Sequence, residues 1–357
     1  MKKNLSVLLA IVMILALVAG CATEAPAAEE APAAETPAEE APAAEKPAAT
    51  EETEEKDSYL IGISTDSGFQ ARTWECQELY KKAEEAGNVT IIEQAADDDS
   101  TVQIQQIKSM VDQGVDAIVV CAVDMNAVGT ALDYAAEKGV IVTLYDRFVD
   151  HSAVQFCATY DSYTDGVNCG KELIALDTTP DEPKVVFELI GNRGDINAIE
   201  RHEGFRSVAD EMTNWTIVEI ETNWSTEDAL TGMQNALQKY PDVWGIFCAS
   251  SHMDGSIETA LTEVGRWAKV GEEGHVNFVS LGGEAPGTQI AVDGYTDKFV
   301  VIHFDEMGSH IFDAIMTLLE GGTVENPLYQ VSSVVYTKDQ LIAEKDTLYA
   351  MEIVTVP

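Results

Sequence analysis

The chain of 357 residues carries 62 Asp and Glu against 21 Lys and Arg, a formal net charge of −41. That sign excludes DNA, RNA and anionic lipid headgroups as partners, because contacts to phosphate are made chiefly by basic side chains. The length exceeds what one hydrophobic core usually serves, which sets two folded domains as the expectation.

The N-terminus starts Met1-Lys2-Lys3, and residues 5–18 are almost wholly apolar. This is the order of a secretion signal, and an apolar run shorter than the roughly 20 residues of a membrane span predicts cleavage rather than a permanent anchor. Leu17-Val18-Ala19-Gly20-Cys21 resembles the lipobox of bacterial lipoproteins. The resemblance implies a leader over 1–20, a lipid on Cys21 with two acyl chains, and a protein exported and held on the outer face of the cell membrane or in the periplasm. Residues 21–57 alternate Ala, Pro and Glu with almost nothing large and apolar. That composition predicts a disordered tether, stiffened by proline and extended by its like charges.

From residue 58 the hydrophobic period switches between strand and helix. Runs at 59–64, 89–93, 117–120 and 140–144 read as buried strands, with helical stretches at 72–86, 101–113 and 127–137 between them. The acidic run Asp97-Asp98-Asp99-Ser100 offers oxygens to a Ca²⁺ ion, but a solvated loop with Ser100 capping the following helix is the simpler reading. After the turn-rich 178–183 a second series follows, with strands at 184–189, 215–220, 244–248 and 276–281. Its helices fall at about 197–211, 225–238, 254–264 and 306–320. Strands separated by helices need crossover connections, so the expected fold class is α/β: two Rossmann-like lobes with parallel sheets and a hinge between them. In such sheets ligands bind beyond the carboxyl ends of the strands.

Apart from Cys21 there are five cysteines, none in C-x-x-C spacing. Cys121 and Cys248 fall in strand-like runs, which favours buried free thiols, with one disulfide such as Cys157 to Cys169 left open. The six histidines show no metal-ligand spacing, and no nucleophile elbow, Walker loop or dinucleotide fingerprint occurs. No metal, cofactor or catalytic residue is therefore expected. A glycosidase-like carboxylate pair, Asp146 with Glu284, is the enzymatic alternative.

The segments Ile61-Gly62-Ile63-Ser64-Thr65, Gln105-Gln106-Ile107 followed by 114–120, and Gly139-Val140-Ile141-Val142-Thr143-Leu144-Tyr145-Asp146-Arg147 carry a family resemblance. In order and spacing the chain from 58 to 357 resembles the type I periplasmic sugar-binding proteins, the ribose- and xylose-binding kinds in particular. The resemblance implies lobes of 58–160 plus 303–333 and of 161–302 plus 334–357. It implies a monomer that captures a monosaccharide and delivers it to an ABC transporter permease, or presents it to a membrane sensor. It also implies that Asp146 and Arg147 bind ligand hydroxyls, a carboxylate accepting where a guanidinium fork donates; a surface ion pair is the plain alternative.

Arg72 in Arg72-Thr73-Trp74 resembles the xylose-type arginine, and Arg201 in 198–205 the ribose-type one, each alternatively an ordinary helix charge. Trp224 and Phe69 follow strands where a ligand-stacking ring is expected, or else pack in the core. Several positions depart from the family. Ser250 and Ser251 stand for an Asn-Asp pair, Glu284 for Asp, Ser162 for Asn, and His303 for an amide or lysine, so the ligand pocket is expected to be rebuilt.

Overall fold

The computed structural model describes residues 56–68, 70–352 and 354–356. The predicted leader, Cys21, the Ala/Pro/Glu stretch up to residue 55 and Phe69 lie outside the described residues.

The first half of the fold runs β1 (Tyr59–Thr65), α1 (Gln70–Ala86), β2 (Val89–Ala95), α2 (Ser100–Asp112), β3 (Ala117–Val120), α3 (Gly129–Glu137), β4 (Ile141–Asp146) and β5 (Val154–Tyr160). The second runs α4 (Ser162–Ala175), β6 (Lys184–Ile190), α5 (Ile196–Ala209), β7 (Trp215–Glu221), α6 (Thr226–Lys239), β8 (Gly245–Cys248), α7 (Asp254–Glu263), β9 (Asn277–Gly282), α8 (Ala285–Asp293) and β10 (Lys298–Ile302). The chain closes with α9 (Asp305–Leu319), β11 (Leu328–Val331), β12 (Ser333–Tyr336) and α10 (Lys338–Ala343).

These strands form two sheets, β2-β1-β3-β4-β5-β11 and β7-β6-β8-β9-β10-β12. Every pairing is parallel except β10 with β12. The α/β class with two parallel sheets is the one the alternating periods predicted. Burial explains why the strands are legible. β3, β4 and β8 are buried along their whole length, and β3 and β8 read as unbroken apolar runs, whereas the edge strands β2 and β7 are only partly buried, with their exposed residues scattered along them.

The chain passes between the sheets three times: after β5, after β10, and between β11 and β12. After the first crossing α4 packs on α5, and after the second α9 packs on α1. Separate cores lie beside the two sheets, one around Ile107, Met110, Ile118 and Leu132 and one around Phe187, Met233, Ile246 and Phe278. A third is continuous across both, from Ile61 and Tyr160 through Phe304 and Tyr349 to Phe205 and Phe247.

One sequence reading changes here, and one alternative left open is closed. The cap of α2 is Asp99, whose carboxylate accepts from the Thr101 and Val102 amides, so Ser100 is the first helical residue instead of the cap. All five described cysteines are buried and free, so Cys157 and Cys169 are not paired.

Candidate functional site

The carboxyl ends of both sheets border one cleft of about 770 Å³. Its first wall is an ion cluster built from β1, α1 and β4. Arg72, one turn into α1, places Nε 2.7 Å from Asp66 Oδ1, Nη1 2.9 Å from Glu75 Oε2 and Nη2 2.7 Å from Asp146 Oδ2. Arg147 follows with Nη1 2.9 Å from Asp66 Oδ2 and 2.7 Å from the Ala122 carbonyl. Asp66, Glu75 and Asp146 are all buried, and two guanidiniums shared among them offset the cost of removing their charges from water.

The protonation of the cluster is uneven. Burial acts to raise the Asp66 carboxyl, but Arg72 and Arg147 outweigh it and hold the group well below the usual carboxylate range. Burial dominates at Glu75, helped by the Asp146 charge, and pushes its carboxyl up to about 7 against the pull of Arg72 and the Tyr160 hydroxyl. Tyr160, at the end of β5, donates to Glu75.

The second wall uses amides, hydroxyls and a ring. Asp195 caps α5 with Oδ1, which accepts from the Asn197 amide, while Oδ2 accepts from Trp224 Nε1 at 3.0 Å and from Arg147 Nε at 3.1 Å. Asn197 Nδ2 donates to Asp146 Oδ1 at 2.7 Å. These bonds join the two walls directly. Arg201 donates from Nη1 to the Ala249 carbonyl, and its guanidinium carbon stands 5.4 Å from the Tyr160 ring and 5.9 Å from the Trp224 ring. Its buried Nε has no hydrogen-bond partner among the described residues.

Arg201 reaches this place because α4 and α5 touch backbone to backbone. A Cβ on Gly166 would stand 2.1 Å from the Arg201 carbonyl oxygen, and one on Gly204 would stand 2.1 Å from that of Tyr163. Trp224 lies over Gly191, where a Cβ would meet the indole at 2.1 Å. Its φ of 61° and the 64° of Asp146 lie in the left-handed region, an arrangement costing on the order of 1–3 kcal/mol per residue and found most often at functional sites.

Of the sequence-predicted residues, Arg72, Asp146, Arg147, Arg201, Trp224, Ser250 and Glu284 line the cleft together. Ser162 does not line it: its buried hydroxyl donates to Asn197 Oδ1 at 3.1 Å and so orients that amide from behind. His303 does not line it either; it sits where the chain recrosses, its amide donating to the Ser332 carbonyl. Ser251 is also behind the wall, donating to Glu284 Oε2 and accepting from the Gly283 and Glu284 amides. Sequence reading missed Asp66, Glu75, Asp195, Asn197 and His252. Asp66 directly follows β1, and Asn192, which also lines the cleft, is separated from the end of β6 by one residue, so the strand-end rule was the signal available for them.

The enzymatic pair fares poorly in this geometry, because Asp146 is already held by Arg72 and Asn197. One grouping of metal-binding type, Glu188, His202 and Glu219, lies on β6, α5 and β7, and spacing alone did not show it. Arg206 Nη1 stands 2.8 Å from Glu219 and 3.8 Å from Glu188, so a guanidinium already supplies positive charge there.

The model of the periplasmic binding protein domain matches residues 60–323. Among curated relatives, the D-apiose import binding protein of Actinobacillus succinogenes is 29% identical over 215 residues, 59% of this chain and 67% of the relative. The ribose import binding protein of Bacillus subtilis is 29% identical over 188 residues, 53% of this chain and 60% of the relative. Among solved structures, a galactofuranose binding protein aligns with a TM-score of 0.73 at 22% identity, over 82% of this chain and 99% of its own. A Mycobacterium smegmatis protein in complex with β-D-fucofuranose aligns with a TM-score of 0.74 at 21% identity, over 81% and 95%. With the family model spanning both sheets and the cleft between them, the chain belongs to the periplasmic binding protein domain family, in its type I architecture.

Proposed function

We propose that the protein captures a monosaccharide-sized, hydroxyl-rich solute in this cleft and hands it to an ABC transporter permease, making and breaking no covalent bond. The names of the apiose and ribose relatives support a sugar. The observation that carries the reading is the pairing of an indole face, Trp224, with guanidinium and carboxylate groups from both walls around one cleft of sugar size. A flat ring covers the C–H face of a sugar while Arg201, Arg147 and Asp146 meet its hydroxyls.

Lobes of 58–160 plus 303–333 and 161–302 plus 334–357 close on the ligand by rotation about the three crossings. The leader, the lipid on Cys21 and the Ala/Pro/Glu tether belong to this reading as the device that keeps a monomer at the outer membrane surface. Thermal-shift measurement against pentoses, hexoses, polyols and amino acids, followed by chromatography of each hit, tests it. A shift of several degrees with the sugar recovered unchanged is expected. Conversion of the sugar would establish an enzyme instead, and a shift with amino acids alone would remove the sugar from the reading.

A further inference from the structure

The arginines that line the cleft are fixed in two different ways. Arg72 and Arg147 are held by the carboxylates of Asp66, Glu75, Asp146 and Asp195. Arg201 stands in no ion pair among the described residues; burial raises the Asp165 carboxyl, on α4, against the Arg201 charge, but that carboxyl takes the Ser333 hydroxyl. The Arg201 guanidinium is held instead by the bond from Nη1 to the Ala249 carbonyl, 3.0 Å, and by two rings, Tyr160 at 5.4 Å and Trp224 at 5.9 Å. One hydrogen bond leaves the planar group free to turn about it, so the rings set the direction in which its open Nε points.

The two rings come from opposite sides. Trp224 follows β7 of the second sheet, the side that also carries Arg201, whereas Tyr160 is the last residue of β5 in the first. Tyr160 is buried, and each part of it is occupied. Its hydroxyl donates to Glu75 in the first wall, and its carbonyl accepts from Gln330 Nε2 on β11 at 3.3 Å. Its ring meets that of Phe304, between β10 and α9, edge to face with centroids 5.6 Å apart. Tyr160 thus stands directly before the first crossing, touches Phe304 in the second and Gln330 just ahead of the third, and presents its ring to Arg201.

We propose that Tyr160 is a positioning residue for ligand capture: its ring, set by the three crossings, aims the Arg201 guanidinium at the ligand. The inference rests on the sugar reading above and deepens it at the same site. Because ring and guanidinium come from opposite sheets, Arg201 is aimed only when the sheets stand at this separation. A ligand that engages the aimed guanidinium therefore favours this arrangement over a more open one.

Isothermal titration calorimetry of the full chain with D-ribose, D-xylose, D-galactose and D-fructose tests this, followed by a double-mutant cycle with whichever sugar binds. Tyr160→Phe keeps the ring face and the Phe304 contact and loses only the Glu75 bond, so its affinity is expected within about threefold of the parent. Tyr160→Leu removes the ring and is expected to weaken binding about tenfold. Combined with Arg201→Ala, the same Leu change is expected to add less than about twofold, because the group it aims is gone. Should Tyr160→Leu not fold, Tyr160→Met takes its place. Comparison of the Phe variant with the ring-less one separates ring from hydroxyl even where Arg201→Ala binds too weakly to measure. A Phe variant as weak as the Leu variant, or a Leu effect of equal size with and without Arg201, overturns the positioning role and leaves the sugar reading standing. Binding of none of the four sugars by the parent overturns both.

Discussion

The two walls of the cleft solve opposite problems. The first wall is cross-paired before any ligand arrives: Arg72 and Arg147 are shared among Asp66, Glu75 and Asp146 in bonds of 2.7–2.9 Å. The second is less complete, with Arg201 Nε buried and unpartnered among the described residues. A wall of mutually paired charges is stiff and presents fixed dipoles, whereas open donors and acceptors discriminate between ligands, because leaving them unmet costs more than meeting them gains. Stability is therefore expected to reside in the first wall and selectivity in the second.

The largest test of that contrast is Arg72→Met, which keeps most of the volume but removes one guanidinium from three buried carboxylates and leaves Glu75 with none. Urea denaturation is expected to show a loss of about 3–5 kcal/mol, the penalty for breaking a buried ion pair by removing one partner. A variant as stable as the parent would mean that the cluster is not preformed. Arg201→Ala is the matching change on the second wall. Calorimetry is expected to show ligand affinity falling by about 1.5–3 kcal/mol, as for a lost charged hydrogen bond, with a smaller drop in denaturation midpoint than Arg72→Met produces.

Acid titration sharpens the contrast through Glu75. Below about 4.5, its ordinary value, the group is protonated folded or unfolded; between there and its folded value of about 7 only the unfolded chain releases the proton. Rising pH therefore favours unfolding across that window, and the effect levels off above it. Urea midpoints at pH 5 and pH 8 are expected to differ less in Glu75→Gln than in the parent protein. An unchanged difference would place the titration elsewhere.

The smallest effect belongs to the join between the walls. Asp195→Asn keeps an equally good helix cap but removes the charge that meets Arg147. Small-angle scattering of the ligand-free protein is expected to report a more open average shape, because an ion pair between the walls is lost. No change in scattering would show that Asn197 alone holds the walls together.

Legibility followed burial for most strands, though β10, buried over four of its five residues, went unread. β3 was readable over its full length because both of its faces are covered and all four residues are apolar. β11 and β12, partly exposed strands of four residues, carry no such run, and β5 ends in Thr159-Tyr160, where polar groups already belong to the site. Arg201 and Trp224 were reachable through a family pattern and a strand end. Asp195 and Asn197 were not, since an Asp two residues before an Asn at a helix start reads only as a cap, and capping is half of what Asp195 does.

Local periodicity, helix caps and the spacing of strand ends are properties of neighbouring residues, so the sequence by itself determined the α/β class, two parallel sheets and the strand ends that carry the cleft. Which carboxylate meets which guanidinium or amide is a property of residues dozens of positions apart: Arg147 with Asp66 and Asp195, Asn197 with Asp146. Only the tertiary structure decided that, because charge pairing depends on distance in space and on exclusion of water, and neither is written along the chain.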